Sequence, residues 1–152
     1  MRLKKFGVKP ANALKFRRTS RPNKLISRLS TFFYGSEAEK ARQIADYVIH
    51  QIPVNEQINV LEKKRLFRVR AADSVKAKNP VGVFHCAERC NLAISILNEA
   101  GVKSWLARVV YPHEKSWRFH DYVEFSSGGK VHTLGFVNYG KGIPDNAIEK
   151  FD

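Results

Sequence analysis

Two groups in this 152-residue chain have the types and the spacing to do chemistry together: Cys86 and, 34 residues later, His120. After Cys86, apolar residues recur at Cys90, Ala93, Leu97 and Ala100, with Ile94 and Ile96 widening the stripe, so the spacing predicts a buried helix that opens on Cys86. The first turn of a helix presents unpaired N–H groups and positive potential, which favour a thiolate over a thiol. A thiolate nucleophile also needs a group that takes and returns a proton, and imidazole does this near neutral pH. His120 lies in an alternating segment that places Arg118, His120, Tyr122 and Glu124 on one face of a strand and Phe119, Val123 and Phe125 on the core side. On this reading the histidine stands away from the apolar side of its own sheet and is available to a helix terminus.

The elements that must hold this pair follow from periodicity. Ser36 and Glu39 have capping-box spacing, and Ala38, Ala41, Ile44, Ala45, Val48, Ile49 and Ile52 follow at helical intervals, predicting a helix over 37–51 that stops before Pro53. Residues 54–70 show no clean period. A short helix over 71–78 ends near Asn79-Pro80, and a loop over 81–85 leads into the Cys86 helix, which Gly101 terminates. The period then changes to two, predicting strands over 104–111, 117–125 and 130–138, the last two joined by Ser126-Ser127-Gly128-Gly129. Helices first and an antiparallel sheet afterwards make an α+β class.

In this order of parts, residues 37–138 resemble the transglutaminase-like branch of the papain-like cysteine enzymes. The residues that carry the resemblance are the helix with Glu39-Lys40-Ala41, Cys86 heading a long helix that ends at Gly101-Val102-Lys103, and the strand His120-Asp121-Tyr122-Val123-Glu124-Phe125. It implies Cys86 as nucleophile and His120 as general base and acid, with Cys90 filling a small helix position. The chain departs from the family in two places. No carboxylate stands near Leu134, Gly135 or Phe136, where the family carries its third residue, and Phe84-His85 replaces the glycine usual two before the cysteine. Pairing about the Ser-Ser-Gly-Gly turn sets His120 opposite Gly135, so Asn138 reaches the histidine face only through a bulge. Asn138 as orienter of the imidazole, a dyad without a third member, and an inactive descendant all fit these residues. The Cys86 backbone N–H is one expected oxyanion donor.

Composition bounds the rest. The net charge is +13, yet residues 1–28 hold ten bases and no acid, leaving +3 for the remainder. With Pro10 and Pro22, this stretch reads as a basic, poorly ordered arm that attracts nucleic acid or another anionic surface, followed by a domain over 29–140 and a polar tail over 141–152. Two cysteines cannot make a disulfide scaffold, and no apolar run is long enough for a transmembrane helix. Without a secretory apolar stretch near the start, the expected setting is cytoplasmic. Cys86 and Cys90 with two of His85, His113, His120 and His132 could bind zinc, but the three-residue gap between the cysteines lies on a helix and no second cysteine pair follows, so the expectation is no metal and no cofactor. The leading expectation is a cysteine peptidase or transglutaminase-like amidase: cysteine-dependent acyl transfer on a peptide or side-chain amide, with hydrolysis preferred because water needs no second binding site. The alternative is a non-catalytic binding module whose basic arm holds a polyanion.

Overall fold

The structure, a computed structural model, describes residues 10–52, 70–76, 85–113, 116–134 and 148–151, with side chains at 14–52, 70–76, 87–108 and 121–134. Its elements are α1 (Pro10–Thr19), α2 (Lys24–Ser30), α3 (Glu37–Gln51), α4 (Ala71–Lys76), α5 (His85–Glu99), β1 (Ser104–His113), β2 (Ser116–Ser127), β3 (Lys130–Thr133) and β4 (Ile148–Phe151). This is the expected α+β class, with a four-stranded sheet in the order β3-β2-β1-β4, every pair antiparallel. Among the described residues, no helix is long and apolar enough to cross a membrane.

Local sequence accounts for the helix ends. Ser36 Oγ accepts from Glu39 N while Glu39 Oε2 accepts from Ser36 N, so the capping box starts α3 where its spacing predicts. At the far end of α5, Gly101 takes a φ of 83°. The Val102 N–H returns to the Leu97 carbonyl and the Gly101 N–H to that of Asn98, a double closure of the last turn that favours glycine. Lys40 Nζ donates to the Ala100 carbonyl at 2.9 Å, tying α3 to this terminus.

The core forms around α5. Residues 87–97 are all buried, because α2, α3, α4, β1 and β2 pack around this helix. A helix enclosed in this way needs apolar residues on every side, which Leu92, Ala93, Ile94, Ile96 and Leu97 supply. Leu106, Val123 and Phe125 join the same cluster from the sheet, and Ile44 and Val48 join it from α3.

The basic stretch differs from the expected arm. Pro10 opens α1 rather than breaking it, since its missing N–H is one that the first turn leaves unpaired anyway. Asn23 caps α2 by accepting from Ile26 N at 3.0 Å. Phe16 and Ile26 are buried in the core cluster, while Lys15, Arg17, Arg18, Arg21, Lys24 and Arg28 stay exposed. Two apolar anchors are enough to fold these residues onto the body, so the arm reading is corrected over residues 10–28. Part of the expected C-terminal tail is likewise a strand, β4, which pairs with β1 from Leu106↔Phe151 to Val109↔Ile148.

The hairpin between β2 and β3 also differs. Its turn is Gly128-Gly129 alone, both at positive φ (58° and 74°), which closes the pair Ser127↔Lys130. The pairing is displaced by two residues from the one expected about a four-residue turn. A shift of two leaves each residue on its expected face.

Candidate functional site

β1 and β2 hold the site by a continuous register in which Leu106 opposes Val123, Ala107 opposes Tyr122, Arg108 opposes Asp121 and Val109 opposes His120. Opposed residues share a face. Leu106, Arg108, Asp121, Val123 and Phe125 therefore take the core side, with Val123 and Phe125 placed as the alternation predicts. The other face is covered as well: Tyr122 is 1% exposed, Glu124 is 6% exposed, and Trp105 Nε1 donates to Glu124 Oε1 at 2.9 Å. β2 is thus buried on both sides from Asp121 to Phe125.

The backbone places both candidate catalytic residues on the expected elements. Cys86 is the second residue of α5 and His120 lies within β2. Their side chains lie outside the described ones, and Asn138 lies outside the described residues altogether. α5 packs against both β1 and β2, and His120 pairs with Val109 across the β1–β2 register. Cys86 and His120 therefore lie on two elements that pack against each other.

Beside them is a buried charged layer that spacing alone did not reveal. Arg108 Nε donates to Asp121 Oδ1 (2.5 Å) and its Nη2 donates to Asp121 Oδ2 (2.9 Å), with Asp121 fully buried. Two parallel charge-assisted bonds lock this cross-strand pair one residue from His120 and Val109. Glu88, two residues after Cys86, is also fully buried, in the first turn of α5 where the helix dipole favours an anion. Arg89 Nε donates to the Ile52 carbonyl at 2.7 Å and thereby fastens the end of α3 to α5. The available signal was Arg108 and Asp121 interrupting apolar strands, but recognising the pair requires the β1–β2 register.

Cys90 is fully buried in the core cluster, the packing role expected of it. His132 stacks on Phe125 with ring centroids 5.5 Å apart, out at the β2–β3 hairpin. Among the described residues, no group of three or more His, Cys, Asp or Glu is arranged to hold a metal ion.

No family model matches the chain, and no curated protein matches it. Among solved structures, it is similar to one from Parabacteroides distasonis named a "putative protease", with a TM-score of 0.56 and 18% sequence identity over 82% of this chain. That likeness is one of fold. The chain spans 26% of that structure's length.

Proposed function

We propose that the chain is a cysteine-dependent amide hydrolase of transglutaminase-like type, in which Cys86 is the nucleophile and His120 the general base and acid. What supports this reading is the position of Cys86 in the first turn of the central helix, with His120 on β2, a strand that packs against that helix. The fold shared with a structure named as a protease supports it. The thiolate adds to an amide carbonyl, and the tetrahedral oxyanion is met by N–H groups at the start of α5. The imidazolium returns its proton to the leaving amine, and water, deprotonated by the same ring, resolves the thioester. The Arg108–Asp121 pair fixes the strand register beside the histidine. Asn138 is the candidate orienter of the ring.

One observation favours a second reading, a non-catalytic module with the same fold. Next to His120 the core side of β2 belongs to Asp121, whose carboxylate is committed to Arg108. Digestion of a peptide library in H2 18O separates the readings. The hydrolase yields products with 18O in the new carboxyl group, lost in both Cys86→Ala and His120→Ala. The module yields no such products, or products that persist in both variants.

A further inference from the structure

The basic stretch takes no part in the amide chemistry proposed above. The six described bases of α1, α2 and their connection are all exposed while Phe16 and Ile26 are buried, so the charge lies on the outer side of this segment. A groove of about 240 Å3 runs between the α1–α2 connection, α5 and the start of β1. Phe16 and Ile94 form its apolar base, Arg17 and Arg21 stand on one side, and Asn98 and Trp105 stand on the other. Trp105 is half-buried, and its indole is held by the bond from Nε1 to Glu124. Asn98 Oδ1 accepts from Ser104 N and Ser104 Oγ, so the amide N–H2 is the donor it offers a ligand.

We propose that this groove and the α1–α2 segment beside it bind single-stranded nucleic acid, one base entering against Trp105 while Arg17 and Arg21 take the flanking phosphates. Charge complementarity calls for a polyanion, since residues 1–28 contain no acid. An anchored indole over an apolar base calls for a planar ring on each repeating unit, which an anionic lipid or an acidic peptide does not carry. A base must be unstacked to enter a groove of this size, which selects a single strand over a duplex. Arg17 and Arg21 recognise phosphate, which carries no sequence information. This inference does not rest on the thiol chemistry.

The test uses the full chain carrying Trp117→Phe, which leaves Trp105 as its one tryptophan. A labelled single-stranded oligonucleotide, the same sequence as a duplex, and phosphatidylserine vesicles are titrated over a series of salt concentrations. The expected results are tightest binding to the single strand, quenching of Trp105 fluorescence, and affinity that falls as salt rises. Replacing Arg17 and Arg21 by alanine, both exposed and checked for folding by circular dichroism, lowers the slope of log affinity against log salt by about 1.4, or 0.7 per lost phosphate contact. No salt-dependent binding, binding without quenching, equal or tighter binding to the duplex or the vesicles, or an unchanged slope in the variant overturns the proposal.

Discussion

At the scale of single residues, the most consequential contact is the buried Arg108–Asp121 pair. Removing one member of a buried ion pair leaves the other charge unpaired, which costs more than the pair contributes over an apolar replacement. Asp121→Asn is expected to lower stability by about 3–5 kcal/mol in urea unfolding. The double replacement Arg108→Met with Asp121→Leu is expected to recover most of that loss. If Asp121→Asn unfolds at the same urea concentration as the parent, the pair is not holding β1 and β2. The residue types at Cys86 and His120 were legible because helix initiation and strand alternation are local properties. The ion pair was not, because two strands joined by a turn of unreadable length do not declare their register. The covered face of Tyr122 and Glu124 escaped for a related reason: alternation separates two faces but does not say that both are buried.

At the scale of elements, sequence served best where a short-range bond decides the outcome. Ser36 with Glu39, and Gly101 after Leu97, satisfy backbone groups within a few residues, and α3 and α5 begin and end close to the predicted positions. Ser36→Ala is expected to destabilise the protein by about 1 kcal/mol, measured by thermal or urea unfolding, since it removes the acceptor for the Glu39 N–H. Gly35→Ala adds strain at the same place: its φ is 104°, and a Cβ there would collide with the Glu39 carboxylate of the capping box. Elements decided by distant partners were missed. β4 is four residues in a polar segment and exists through pairing with β1. The turn Gly128-Gly129 was legible as a turn but not in length, because the two serines before it suit a loop as well as a strand end.

At the scale of the molecule, an α5 enclosed by helices and sheet was foreseen from its apolar content, and the α+β class from the change in period. The basic stretch was misread because charge dominated its composition, whereas its place in the fold is set by Phe16 and Ile26. Burying a side chain such as Ile26 contributes about 1.5–3 kcal/mol, enough to hold a short helix that would not persist alone. Ile26→Ala is therefore expected to cost about 2–5 kcal/mol in global stability, measured by urea unfolding. An unchanged midpoint would return residues 10–28 to the status of an appended tail.

The central claim, a Cys86 thiolate sustained by His120, is tested most directly by the pH dependence of iodoacetamide labelling at each cysteine, read by peptide mass spectrometry with buried Cys90 as internal reference. The account predicts rapid labelling of Cys86 with a midpoint well below the ordinary thiol value of about 8.5, and a rise of that midpoint in His120→Ala. Cys86 as inert as Cys90, or a midpoint that His120→Ala leaves unmoved, would contradict it.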